Sequence, residues 1–408
     1  MNEDNAFHQW LLEEGRASED LAELLNGFCL FLNKLGFQIR RSTMALGTLH
    51  PQTEALRYVW YDSSLDPGPF PAPSLFYREI HQLPGHTIDE THLSFGCRDN
   101  PVYRASPFYQ VDQDGKALHL KINPIGEEQA YPLMEELAKL GCTDYFCRRF
   151  SKMENDDAMI SLVTDSPSGF SGEQLTQLAE WLPYVGLIKD LHRAEVVNRT
   201  LLDVYLGHNP GEKVLSGSIK PGDVQQIDAA IWYSDLRGFS SISQTLSPEE
   251  LVLWMNRYFE ILIKRITHHK GEILKFVGDA VLAIFPIDEN GSSVAADAAY
   301  QCALEVEEAL AELNESLDSE EPEYRHGIAL HLGKVMYGNV GALKRLDFTV
   351  IGNAVNLAAR IEGLCKPLGQ SLLCSQSFDE HTSTELKELG EHQVQGIEQP
   401  VRVYGRLS

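Results

Sequence analysis

The sequence predicts an α+β chain of two domains joined by a helical segment, and three observations carry that reading. Its 408 residues, 43% of them apolar, exceed one ordinary domain and are enough to fill two cores. Short β-forming runs alternate with amphipathic helical periods in both halves of the chain. Between the halves, around residues 180–225, the pattern changes to heptad-like spacing and then to a cluster of Gly and Pro.

The first domain, residues 1–180, opens with a helical period over residues 11–35, closed by Gly36. Strand-like runs follow at 38–44 and 56–61, then a Pro-rich loop containing Pro67, Pro69, Pro71 and Pro73. Residues 118–122 and 159–164 read as strands flanking a helix over 127–140, which implies a mixed sheet with helices packed on it. This order of elements resembles the GAF-like class of sensor domains, and the resemblance implies a small-molecule ligand whose identity the sequence does not give. His81, His86 and His92 with Cys97 match no metal-ligand spacing and read as solvated loop residues. Cys142 and Cys147 read as independent reduced thiols.

From Pro183 onward Leu187, Leu191, Ala194, Asn198, Leu201 and Tyr205 recur at alternating steps of four and three, the spacing of a coiled-coil seam. A polar Asn198 on such a seam sets register in a parallel pair, so residues 181–224 read as a dimerisation linker and transducer. The same spacing also fits an amphipathic helix packed on its own domain. Gly207, Pro210 and Gly211 are expected to break the helix, and Pro221-Gly222 to turn the chain into the second domain.

In that domain, residues 225–408, a short apolar strand spans 229–234. A long amphipathic helix follows over Pro248–His268 with proline at its start, and residues 273–285 read as two strands around Gly278-Asp279. A helix over 292–317 ends in an acidic stretch read as a solvated loop. Strands at 327–332 and 334–339, a helix over 354–364 and short strands near Leu372 and Val401 complete a ferredoxin-like βαββαβ arrangement with additions.

Composition narrows the function. Thirty-four Lys plus Arg stand against 59 Asp plus Glu, a net charge of −25, which repels polyphosphate backbones and argues against a nucleic-acid partner. No run of about eighteen apolar residues occurs, so no membrane insertion is expected. Seven scattered cysteines without a C-x-x-C pair, and a start lacking a signal-peptide pattern, predict a cytoplasmic protein.

Asp235 ends an apolar strand and Asp279 sits at a hairpin tip, with one crossing helix between them. If their strands lie side by side, both carboxylates reach one sheet end, an arrangement suited to divalent metals. The words around them, WYSDLRGFS at 232–240, KFVGDAVLA at 275–283 and FTVIGNAVNLAAR at 348–360, strongly resemble the class III nucleotidyl cyclase catalytic domain. The resemblance covers residues 225–408 and implies conversion of ATP to 3′,5′-cyclic AMP and pyrophosphate. It assigns two Mg²⁺ or Mn²⁺ ions per site to Asp235, Leu236 and Asp279. It makes Lys275 and Thr349 the base-reading, substrate-binding pair, favouring ATP over GTP, and Asn356 and Arg360 the ribose-orienting and transition-state residues. It further implies a homodimer whose sites take metal ligands from one copy and base and transition-state contacts from the other.

One word departs from the pattern. Where the family shows Lys-Gly-Lys, this chain has Gln395-Gly396-Ile397, so either phosphate binding is weaker or another cation, Lys344 or Arg345, substitutes. A guanylate cyclase and a catalytically weak nucleotide-binding module are the alternative readings.

Overall fold

Seven strands, every neighbouring pair antiparallel, organise the first half of the chain: β1 (Ile39–Gly47), β2 (Ala55–Asp62), β3 (Leu75–Leu83), β4 (His86–Leu93), β5 (Leu118–Lys121), β6 (Asp144–Arg149) and β7 (Met159–Thr164), in the order β3-β4-β2-β1-β7-β6-β5. The computed structural model describes residues 2–48, 52–65, 75–150, 158–318 and 321–407, in two compact units, Met1–Leu201 and Leu202–Ser408. Pro67, Pro69, Pro71 and Pro73 lie outside the described residues. The expected mixed sheet is antiparallel throughout, because β1–β2, β3–β4 and β6–β7 are neighbours in sequence and need no crossover. β3, β4 and β6 escape a reading based on apolar alternation.

Strand alternation divides this unit's core. Met44 and Leu46 of β1, with Ile160 and Leu162 of β7, pack against the helices Leu21–Lys34 and Gly172–Leu206 around Phe28, Trp60 and Trp181. On the opposite face Tyr145, Cys147 and Val163 meet Val111, Met134 and Leu137. The leading helical period is interrupted: a π-turn at Leu11–Gly15 precedes Leu21–Lys34, whose N-cap Asp20 accepts from the Glu23 amide at 2.8 Å. The predicted loop histidines stand on strands: His81 and His92 reach the Glu90 carboxylate at 3.0 and 2.9 Å, and His86 stacks on Trp60. All seven cysteines are buried and free.

The helix Gly172–Leu206 begins eleven residues before Pro183 and runs through it. A proline there leaves the Ala179 carbonyl without its helical donor; the Arg148 guanidinium supplies one at 3.0 Å. Its first half buries Leu178, Trp181, Leu182 and Val185, while the heptad positions Leu187, Leu191, Ala194, Asn198, Leu201 and Tyr205 are all exposed. The expected break falls at Gly207 alone. Pro210 and Gly211 lie inside a further helix, His208–Leu215, where a proline in the first turn needs no amide donor. No described helix is long and apolar enough to cross a membrane.

In the second unit β8 (Val224–Leu236), β9 (Glu272–Val277), β10 (Ala280–Pro286) and β11 (His326–Ala342) form the order β11-β8-β10-β9, with the helices Pro248–His268 and Ser292–Glu315 as the two connections. This is the predicted βαββαβ arrangement. A capping box of Ser247 and Glu250 starts the first helix, which buries Trp254, Tyr258, Leu262 and Ile266 on the sheet. β12 (Arg345–Ile351) pairs β11, and β13 (Leu372–Ser375), β14 (Leu386–His392) and β15 (Val401–Arg406) extend the other edge. The two strands expected over 327–339 are the single strand β11, and β12 and β14 are additional. Gly333, between the two expected strands, lies inside β11 at a close approach, since a Cβ there would meet the Cβ of Ala354 at 2.8 Å.

Candidate active site

The site grows from the register of three strands. Ser234 of β8 lies opposite Val281 of β10, so Asp235, one residue further along, reaches the turn that joins β9 to β10. Gly278 in that turn has φ +67°, the left-handed region a side chain disfavours, and it presents Asp279 at the tip. The two carboxyl groups face one another within hydrogen-bonding reach. Burial, reinforced by the hydrogen bond and charge of Asp279, pushes Asp235 up to about 6.

A third carboxylate joins them. Glu362 ends the helix Asn353–Glu362, and β11 pairs Gly327 with Asp235. Any Cβ at Gly327 would overlap the Glu362 carboxylate, so this glycine is what lets the acid approach. Burial first, then the charges of Asp235 and Asp279, raise Glu362 to about 7, with Arg237 opposing them. Arg237 is held from behind: its amide donates to the Arg325 carbonyl at 2.7 Å and its guanidinium to the Gln370 carbonyl. Oxygen-only donors, half-buried and raised by one another's charge, fit a divalent cation. Leu236 is 4% exposed with its side chain in the core, so only its main-chain carbonyl is available as a donor. The sequence reading missed Glu362, whose one signal is its place two residues after Arg360.

Lys275 and Thr349 sit elsewhere on the unit. Lys275, on β9, is ion-paired with Asp347 of β12, an acid that sequence reasoning left out. Thr349, two residues along β12, is buried opposite Gly338 of β11. Asn356 and Arg360 share the exposed face of their helix, opposite buried Ala354, Ala358 and Ile361. Among the described residues neither side chain has a hydrogen bond or ion pair. Within one chain, then, the aspartates are together and Lys275 is near Thr349. Among the described residues no hydrogen bond or ion pair links these two groups to each other or to Asn356 and Arg360. Gln395 is exposed and Ile397 half-buried around the Gly396 turn, and Lys344 and Arg345 are exposed at the β11–β12 hairpin.

Residues 223–404 match the adenylate and guanylate cyclase catalytic domain family, and this part of the chain is a class III cyclase catalytic domain. It is 37% identical over 146 residues to adenylate cyclase 1 of Rhizobium meliloti (strain 1021), covering 35% of this chain and 22% of that protein. It is 34% identical over 165 residues to an adenylate cyclase of Anabaena cylindrica, covering 39% of this chain and 32% of that protein. The crystal structure of the guanylyl cyclase Cya2 is similar at 32% identity over 45% of this chain and 92% of that one, with a TM-score of 0.40. The chain spans about a third or less of the length of the two curated relatives.

Proposed function

We propose that the chain is an adenylate cyclase that converts ATP to 3′,5′-cyclic AMP and pyrophosphate in a homodimer. The observation that carries this reading is the half-buried carboxylate pair Asp235–Asp279 at the end of β8, beside Glu362 and inside a cyclase domain. Mg²⁺ or Mn²⁺ ions, two per site, held by the two aspartates and the Leu236 carbonyl, supply Lewis-acid activation of the ribose 3′-hydroxyl and neutralise the triphosphate when bound.

The chain's own groups do the rest. Asp235 and Asp279, fixed by strand register and turn, are pre-placed at the reacting end and cost little reorganisation. Lys275 donates to the adenine ring, its ammonium oriented by Asp347, and the Thr349 hydroxyl complements the exocyclic amine. Both residue types favour adenine over guanine. On their exposed helix face, one turn apart, Asn356 orients the ribose and Arg360 meets charge developing on the α-phosphate with a multi-donor guanidinium. These two groups and the Lys275 pair act on a nucleotide whose metal end is held by the other copy. The separation of the groups within one chain, and the exposed apolar positions of the helix Gly172–Leu206, support a two-chain site.

Residues 1–180 serve as a GAF-like regulatory domain, residues 181–224 as linker and transducer, and residues 225–408 as the catalytic domain. The antiparallel sheet with helices packed on both faces supports the first assignment. Incubating the purified chain with Mn²⁺ and either ATP or GTP, then separating the products, tests the proposal. Cyclic AMP as the main product is expected; cyclic GMP from GTP in preference points to a guanylate cyclase, and no product from either to a binding module.

A further inference from the structure

The first unit contains a cavity of about 430 Å³, within the range of small-molecule sites. It lies against the face of β1 and β2 that carries Arg41, Thr43 and Arg57, turned away from the helix Leu21–Lys34. Val102, Phe108 and Leu133 supply apolar walls on its other sides. Arg41 and Thr43 are only 5% and 3% exposed.

Buried donors of Arg57 and Thr43 facing a cavity with apolar walls call for an anion. Burial lowers Arg41 to about 10, and burial also lowers Arg57, each despite neighbouring groups that favour the charge. Asp89, the buried acid whose charge favours Arg57, is already engaged by Arg78 through Nε and Nη2, at 2.9 and 2.8 Å. Arg57 makes one long bond, to the Thr91 hydroxyl at 3.4 Å, and its Nε is buried without a partner among the described residues. The Thr43 hydroxyl is likewise buried and unpartnered there. At the rim Arg98 pairs with Glu54 at 3.4 Å, and the exposed Glu136 is the one acid of the lining. Buried donors left without acceptors are costly, and a ligand that supplies acceptors recovers that cost.

We propose that this cavity binds a small organic anion, an apolar molecule ending in one carboxylate whose oxygens meet Arg41, Arg57 and Thr43 while its chain or ring lies on Val102, Phe108 and Leu133. A carboxylate matches the fork of a guanidinium in two-bond geometry. A nucleoside or sugar would leave most of its polar groups unmatched against these walls. Gly47, at the end of β1 in the cavity wall, accepts a hydrogen bond from Arg193 of the helix Gly172–Leu206 at 3.2 Å, so the site abuts the first unit's longest helix. The proposal stands whether or not the catalytic reading does, because binding is measured without nucleotide.

Isothermal titration calorimetry of the full chain with sodium octanoate and with 1-octanol, its neutral counterpart, tests it. Octanoate should bind saturably and octanol about tenfold more weakly or worse. Arg57→Gln should raise the octanoate Kd about tenfold. Thr43→Val, which keeps the side chain's shape and so guards against a folding defect, should raise it about threefold. Equal binding of octanol, an unchanged Kd in both variants, or no saturable heat with octanoate, decanoate and 4-phenylbutyrate alike would each overturn the assignment.

Discussion

The Lys275 ammonium is ion-paired with the Asp347 carboxylate, joining β9 to β12 across 72 residues of sequence. A base-reading lysine is thereby held by an acid that any change of specificity has to take into account. Exchanging Lys275→Glu and Thr349→Cys inverts the hydrogen-bonding pattern toward guanine, yet the introduced carboxylate would face Asp347. We therefore expect the double variant to raise the GTP-to-ATP ratio of kcat/KM modestly, and the triple variant with Asp347→Asn to raise it further, by about tenfold or more. An unchanged ratio in the triple variant would mean that other residues read the base.

Removing one charge from the carboxylate pair tests the metal assignment. Asp279→Asn keeps the shape of the turn and should lower Mn²⁺-supported turnover by at least about a hundredfold, with the sedimentation profile unchanged. Turnover within about tenfold of the unaltered protein would sink it.

The shared site predicts complementation. Asp235→Ala and Arg360→Ala chains should each be inactive alone, and mixing them should regain activity through one intact site per heterodimer. Failure to regain activity, with heterodimer confirmed by native mass spectrometry, counts against two-chain sites.

Acid sensitivity follows from a buried histidine. His331 is 7% exposed, its Nδ1 facing the Ser375 and Ser377 hydroxyls at 2.8 and 3.0 Å, and burial lowers it to about 4. Between about pH 6.5 and 4 the unfolded chain therefore binds a proton that the native chain does not. The resulting stability is complete above about pH 6.5 and is lost as pH falls through that window, the loss amounting to about 2 kcal/mol at pH 5. The fall in Tm between about pH 7.5 and pH 5 should be smaller in His331→Gln than in the unaltered protein. Parallel falls would remove His331 as a cause.

The Gln395 position offers a gain of function. The side chain is exposed beside the Gly396 turn, so Gln395→Lys fits without strain. A new charge-assisted phosphate contact should lower KM for ATP severalfold at constant kcat, equivalent to about 1 kcal/mol. A KM that stays put would show that this turn does not reach the triphosphate.

Much of the second unit was legible because its signals are local. The helix Pro248–His268 and, in the first unit, the strand Met159–Thr164 are read to the residue, one from its leading proline and amphipathic pattern, the other from a strand-like run. Strands such as Leu386–His392 were not, because a largely exposed edge strand carries no apolar alternation.

By itself the sequence determined which residue types are present at which intervals: Asp235 at a strand end, Asp279 after a turn glycine, Asn356 and Arg360 on one helix face. Covalent spacing and helical or strand period are enough for that. Only the tertiary structure decided that Glu362 stands beside the aspartates, that Asp347 holds Lys275, and that Arg41 and Arg57 share an apolar cavity. Each depends on strands distant in sequence becoming neighbours, and in the first case on Gly327 leaving room for an acid. Burial then converts those placements into chemistry, because a charge removed from water responds to neighbours that an exposed one scarcely feels.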